Sequence, residues 1–252
     1  MIAKTQTEID TLREGGKRLA RHVRMASEIL KPGMTGAEVE AFVAKRVEDE
    51  GDTLAFYGYG KPPFPGGLCF SVNDIIVHAP AALHETILEE GDIVSLDFGI
   101  RHKGLFTDHA ITVIIGEAKD PEHERLVKGT HHALMLGIAA ARVGNTTGDI
   151  GYAVEKYAKQ QNFGFPRNLS GHGVGTKVHE EPHVPNFGAP GTGETLVENL
   201  VIAIEPMFTL GSGDLYVDKD KHSYRTKDKS MSAHAEHTII ITKDGPEIIT
   251  KE

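Results

Sequence analysis

Four carboxylates sit in surroundings that are costly for a charge. Asp97 interrupts the run Ile93-Val94-Ser95-Leu96-Asp97-Phe98, and Asp108 precedes His109-Ala110-Ile111. Glu205 follows Ile202-Ala203-Ile204, and Glu236 leads into His237-Thr238-Ile239-Ile240-Ile241. A buried carboxylate needs a partner. Arg167 or Lys177 could pair with one of the glutamates in a purely structural ion pair. Two histidines suggest another use. His172 lies between Gly171 and Gly173, where an imidazole has little side-chain packing to serve, and His179 follows before Glu180-Glu181-Pro182. Hard oxygen ligands with one imidazole suit Mn, Fe, Co or Zn in a bridged pair.

The elements that must position these groups can be read from the same sequence. Ile93 to Ile100 and Thr107 to Ile115 are β-type runs around a polar turn, Arg101 to Gly104, which predicts a hairpin. If the turn is centred between His102 and Lys103, Asp97 faces Asp108 directly, with Cβ atoms about 5 Å apart. Like charges so placed destabilise a sheet, and a bound divalent cation would relieve the repulsion. With the turn off by one residue, one aspartate would face solvent instead. Val201 to Leu210 and Ala233 to Thr242 are further strands, each carrying one glutamate.

Thr5 to Leu30 reads as an amphipathic helix, with Thr5 and Glu8 at capping-box spacing. A second helix runs from Gly36 to a stop at Gly51, with Thr35 and Glu38 at the same spacing. Pro121 to Ala141 and Thr147 to Gln161 complete the helices. Gly33-Met34-Thr35 before Glu38-Val39 is echoed by Gly144-Asn145-Thr146 before Asp149-Ile150. Each copy leads through a helix toward strands. This predicts one α+β domain over residues 1–252, built of two related halves, about 1–120 and 121–252.

Composition narrows the function class. Of 252 residues 39% are hydrophobic and 25% charged, as expected of a soluble globular chain with a sizeable core. Twenty-seven basic against 36 acidic residues give a formal charge of -9, which argues against a nucleic-acid phosphate track. It also argues against anionic membranes as partners. Cys69 is the single cysteine, so no intrachain disulfide forms. No run approaches the roughly 20 apolar residues of a membrane span, and Met1 to Arg24 lacks the apolar core of a secretory signal. The expected compartment is the cytoplasm.

The words around the polar residues resemble the type I methionine aminopeptidases of metallopeptidase family M24. They are Leu96-Asp97-Phe98-Gly99, Thr107-Asp108, Gly171-His172-Gly173-Val174-Gly175, His179-Glu180-Glu181-Pro182, Ile204-Glu205-Pro206 and Glu236-His237-Thr238, with His78 earlier. The similarity runs from about Thr7 to the C-terminus. It implies the pita-bread fold, a pseudo-twofold α+β domain with a central antiparallel sheet and helices packed outside. It further implies two divalent ions (Co, Mn, Fe or Zn) held by Asp97, Asp108, His172, Glu205 and Glu236, with Asp108 and Glu236 bridging. A hydroxide between the ions would attack the scissile carbonyl. His179 would bind the peptide and stabilise the oxyanion, Glu205 would also shuttle protons, and His78 would contact the peptide near the scissile amide. The implied reaction is removal of an initiator methionine followed by a small residue. The partners would be N-termini of peptides and nascent proteins, with ribosome association, and the chain would be a monomer.

Several positions depart from the family pattern. Ala79 stands after His78 where the family has glycine. There is no Trp, and His222 falls at the place of a pocket Trp. Val178 stands where some members carry Phe, and Ala235 replaces a bulkier residue. Tyr57, Tyr59 and Cys69 are the remaining candidates to line the side-chain pocket. A smaller or more polar pocket would lose apolar contact with a thioether. Alternatives on the same fold are a broader-specificity or X-Pro aminopeptidase or dipeptidase, or a non-catalytic binding homologue that has lost its ligands.

Overall fold

A computed structural model describes residues 1–252. Four helices, α1 (Gln6–Ile29), α2 (Gly36–Asp49), α3 (Pro121–Ala140) and α4 (Thr147–Gln160), fall where the periodicity places them. Thr5 and Thr35 accept hydrogen bonds from the backbone N–H of Glu8 and Glu38, and these glutamates bond back to the cap backbone. Replacing such a cap by alanine typically costs ~1 kcal/mol. No helix is long and apolar enough to cross a membrane.

The strands of the first half are β1 (Thr53–Leu54), β2 (Cys69–Val72), β3 (Ile75–Val77), β4 (Ile93–His102) and β5 (Leu105–Ile114). Those of the second are β6 (Ser170–Gly173), β7 (Glu180–Pro185), β8 (Val201–Ile204), β9 (Met207–Thr209), β10 (Leu215–Val217), β11 (Tyr224–Thr226), β12 (Ser232–His234), β13 (Glu236–Thr242) and β14 (Gly245–Ile248). The main sheet runs β1-β4-β5-β13-β8-β6-β7, with β2 also on β4 and β14 on β13, and every pairing in it is antiparallel. β13 therefore joins the N-terminal hairpin to the C-terminal strands.

The echo of glycine and threonine has a structural counterpart. Gly33 donates to the Leu88 carbonyl while Leu88 donates to Met34. Gly144 likewise donates to Leu196 while Leu196 donates to Asn145. Glu38 accepts from both the backbone N–H and hydroxyl of Thr35, and Asp149 does the same for Thr146. Gly33 and Gly144 have φ of 92° and 89°, conformations that a side chain would strain.

The helices bury one face each. Leu12, Leu19 and Val23 of α1 are fully buried, and burying one such side chain contributes about 1.5–3 kcal/mol. A Cβ added at Gly16 would lie 2.4 Å from the Ile249 carbonyl oxygen, so glycine lets α1 approach the C-terminal segment.

Two expected strands are each split. Val201 to Leu210 breaks at Glu205-Pro206, because proline has no N–H to continue the ladder. Ala233 to Thr242 breaks at Ala235, whose N–H turns to the Pro206 carbonyl at 3.1 Å. The breaks face each other: β8 pairs with β13 on one side, and β9 with β12 on the other. Glu205 and Glu236 sit at this paired discontinuity.

Candidate metal centre

The sheet register explains how the carboxylates converge. Asp97 pairs with Ala110, and Ala110 with Glu236; Cys69 pairs with Asp97 on the other side. A row across four strands thus reads Cys69, Asp97, Ala110, Glu236, with all four side chains on one face. The Ala110 methyl leaves open the space between two carboxylates. Asp108 pairs with Gly99, not with Asp97. The hairpin is therefore centred between Lys103 and Gly104, one residue later than the sequence reading placed it. Lys103 and Gly104 both have positive φ, 45° and 91°, as a two-residue type I′ turn requires. Moving the centre by one residue changes each pairing by two, so the expectation that such a shift turns an aspartate to solvent does not hold: Asp108 keeps the face and becomes a diagonal neighbour of Asp97.

Side chains and backbone hold the set in place. Thr238 Oγ1 accepts from the Asp108 N–H at 2.9 Å and donates to the Asp108 carbonyl at 2.7 Å, tying β5 to β13. Asn186 Nδ2 donates to the Glu205 carbonyl at 2.9 Å. His172 Nδ1 donates to the Gly173 carbonyl at 2.9 Å, which leaves the Nε2 lone pair facing the centre. That Nε2 lies 3.5 Å from Glu205 Oε1 and 4.0 Å from Asp108 Oδ2.

Asp97, Asp108 and Glu236 form one cluster with ligand atoms within 4.8 Å of one another, and His172, Glu205 and Glu236 a second. Asp108 also clusters with His172 and His179. All five expected ligands are buried, and Asp97 Oδ1 and Glu236 Oε1 have no hydrogen-bond partner. Arg167 pairs with Glu155 at 2.9 Å, and no lysine or arginine pairs with any of the four carboxylates. The structural ion pair considered from sequence is thus absent here. Burial pushes Asp97 up to about 8, helped by the charge of Glu205, and burial pushes Glu205 up to about 8 as well. Asp108 and Glu236 are raised well above the carboxylate range by burial and then by their acidic neighbours. Burial lowers His172 to about 3, with His179 adding to the effect. Orphaned oxygens, clustered carboxylates and a neutral imidazole are what a divalent cation would satisfy.

The cluster floors a cavity of about 400 Å³. Tyr59, Phe64, Cys69, His78, His222 and Tyr224 are among its walls. His179 is exposed at the mouth, edge-on to His172 with ring centroids 4.2 Å apart and to Tyr59 at 5.0 Å. His222 packs edge-on against Phe64 at 5.5 Å. His78 adopts φ 60°, a left-handed conformation that is uncommon for a residue with a side chain and that recurs at functional sites. Because the positive φ falls on His78, Ala79 is accommodated and fully buried. Three expectations about the pocket need correction. Val178 belongs to the core between the first helices and the sheet, Ala235 packs in the second core, and Tyr57 is 74% exposed; none of them lines the cavity.

The sequence pattern of metallopeptidase family M24 matches residues 10–243. The chain belongs to metallopeptidase family M24. It is 40% identical over 255 residues to a methionine aminopeptidase of Aquifex aeolicus, covering 98% of this chain and 97% of that one. The crystal structure of methionine aminopeptidase from Thermotoga maritima superposes with a TM-score of 0.95 at 38% identity, over 100% of both chains. The prolidase of Pyrococcus furiosus superposes at 0.80 with 22% identity, over 100% of this chain and 66% of that one. At that identity the likeness concerns the fold, which is the pita-bread fold. As an M24 metallopeptidase the chain is a hydrolase whose carboxylates and imidazole suit divalent metal.

Sequence reasoning missed three residues at this centre. Thr238 and Asn186 act through backbone bonds that no spacing reveals. His234 was legible in principle. It lies two residues before Glu236, and alternation along a strand would put both on one face. Its Nε2 is 3.6 Å from Glu205 Oε2 and 3.8 Å from Glu236 Oε2.

Proposed function

We propose that this protein removes the N-terminal methionine from peptides and proteins whose second residue is small. The observation that carries the reading is the joint one of geometry and length. Both metal-ligand clusters are present in a chain that matches methionine aminopeptidases from end to end. Asp97, Asp108, His172, Glu205 and Glu236, whose side chains make up these clusters, would hold two divalent ions. Bound divalent metal, Co, Mn, Fe or Zn, supplies a Lewis acid for the scissile carbonyl and for the attacking water.

The chain's own groups do the rest. Glu205, at the edge of the cluster, takes and returns a proton at its carboxylate. His179, at the mouth, donates to the carbonyl oxygen as charge develops on it. His78, fixed by its left-handed backbone, contacts the peptide beside the scissile amide. Phe64, Tyr59 and Cys69 give the first side chain an apolar wall, and His222 adds a polar edge. The substrate partners are N-termini of nascent proteins met at the ribosome, in the cytoplasm, and the chain acts as a monomer. The paired hydrogen-bond patterns around Gly33 and Gly144 support a domain of two related halves, about 1–120 and 121–252.

The test compares Met-Ala-Ser with Leu-Ala-Ser, Ala-Ala-Ser and an X-Pro peptide, after metal removal and readdition of Mn²⁺ or Co²⁺. Metal-dependent release of methionine alone is expected. Equal release of the other residues would move the protein to a broader aminopeptidase, and turnover of X-Pro alone would overturn the reading.

A further inference from the structure

His234 closes β12 inside the carboxylate cluster, and the ligand assignment above gives it no role. Its imidazole is 2% exposed, and neither ring nitrogen has a hydrogen-bond partner. Leaving a buried polar group unpaired costs about 1–3 kcal/mol. The backbone leaves it little freedom: Thr112 Oγ1 accepts from the His234 N–H at 2.9 Å and donates to its carbonyl at 2.6 Å. Nε2 points at two oxygens, Glu205 Oε2 at 3.6 Å and Glu236 Oε2 at 3.8 Å.

Two roles would satisfy such a ring. Nε2 could present its lone pair to an ion, or it could carry the proton and donate it to the carboxylates. His172 shows what a ligand looks like in this site. Its Nδ1 donates to the Gly173 carbonyl, which forces the lone pair onto Nε2. Ligating imidazoles almost always have such an acceptor on the far nitrogen. Nothing accepts from His234 Nδ1. A lone pair on Nε2 would then face two carboxylate oxygens and be repelled, while the distal N–H would stay buried without an acceptor. A proton on Nε2 reverses the first problem and removes the second.

We propose that His234 is a positioning residue whose Nε2–H is donated to the carboxylates of Glu205 and Glu236, fixing the orientation in which they bind metal. The proposal rests on the metal assignment given under the proposed function. The separations of 3.6 and 3.8 Å lie just beyond hydrogen-bond range and within reach of a small side-chain rotation. The ring would act on the metal through its carboxylate ligands, as outer partners do at other metal centres.

The experiment titrates Co²⁺ anaerobically into the metal-free wild type, His234→Gln and His234→Leu, reading the visible Co²⁺ absorption and the calorimetric affinity. Gln offers an amide N–H near the same place; Leu offers none. The expected result is an affinity loss of ~10–100-fold in His234→Leu. His234→Gln should recover to within a few-fold of wild type, and all three chains should share band positions and intensities. Altered band intensity or position in both variants would make His234 a ligand and overturn the proposal. Equal affinity in all three chains would make it a bystander and overturn it too. If the leucine variant fails to fold, as judged by circular dichroism, the glutamine variant alone decides between unchanged and altered spectra. A wild type that binds no Co²⁺ would refute the metal assignment itself, which the other outcomes leave standing.

Discussion

Replacing Asp97 by asparagine should stabilise the metal-free protein at high pH and do the opposite when metal is present. Burial pushes the folded Asp97 carboxyl up to about 8, whereas an unfolded aspartate titrates near 4. Between those values the folded chain holds a proton that the unfolded chain has released. The group's contribution is fully present below about pH 4 and is lost as pH rises toward 8. Each pH unit costs about 1.4 kcal/mol for one retained proton, so pH 5 to 8 removes about 4 kcal/mol. Asparagine does not titrate and escapes that loss. The buried histidines add a pH dependence of their own to both chains. Burial lowers His78 and His109 to about 4, His172 and His234 to about 3, and His237 to about 2. Their contribution is complete above the ordinary histidine range and is lost progressively as pH falls from that range down to these folded values, opposing the aspartate. They are common to both chains and cancel in the difference. Urea unfolding of both metal-free chains at pH 5, 6, 7 and 8 should therefore show the variant gaining on the order of 4 kcal/mol relative to wild type across the series, in the same direction as the relief of Asp108 and Glu236, which lose a charged neighbour in the variant. At saturating Mn²⁺ the sign should invert, because only wild type keeps the full ligand set. A stability difference that stays constant from pH 5 to 8 without metal would refute the argument that Asp97 is held protonated by burial.

Asp108→Ala or Glu205→Ala should abolish metal-dependent turnover while leaving the metal-free circular dichroism spectrum unchanged; retained turnover in either would end the two-ion assignment. His179→Ala should lower kcat by ~10²–10³, the usual loss for one oxyanion donor, with metal content by elemental analysis unaltered; loss of metal would make His179 a ligand. Gly16→Ala should destabilise the protein by about 1–3 kcal/mol in a urea titration, because the new Cβ would sit 2.4 Å from the Ile249 carbonyl oxygen; an unchanged midpoint would show that α1 shifts at no cost.

The helices and the hairpin were legible because their signals are local. Thr5 with Glu8, and Thr35 with Glu38, fix two helix starts by contacts three residues long. The Lys103-Gly104 turn was also local, yet its centre was misplaced by a residue, since the polar stretch Arg101 to Gly104 offers two nearly equivalent turns. The face of Asp108 survived that error because β pairing has period two. The carboxylates could be recognised one at a time as residues out of place, but their convergence depends on β13 lying between β5 and β8, a pairing across more than a hundred residues. The pocket was less legible for a related reason. Val178, Ala235 and His222 all looked like changes to one wall, and only the folded chain separates the two that pack in cores from the one that lines the cavity. His234 could be placed beside Glu236 by its spacing, but not beside Glu205. Its neighbours in sequence are small and apolar, and the two groups it addresses arrive from either side of the break at Pro206 and Ala235. The same interruption that spoils the strand pattern is what turns Glu205, Glu236 and His234 toward one point, so the irregular backbone at that place is part of the site's construction.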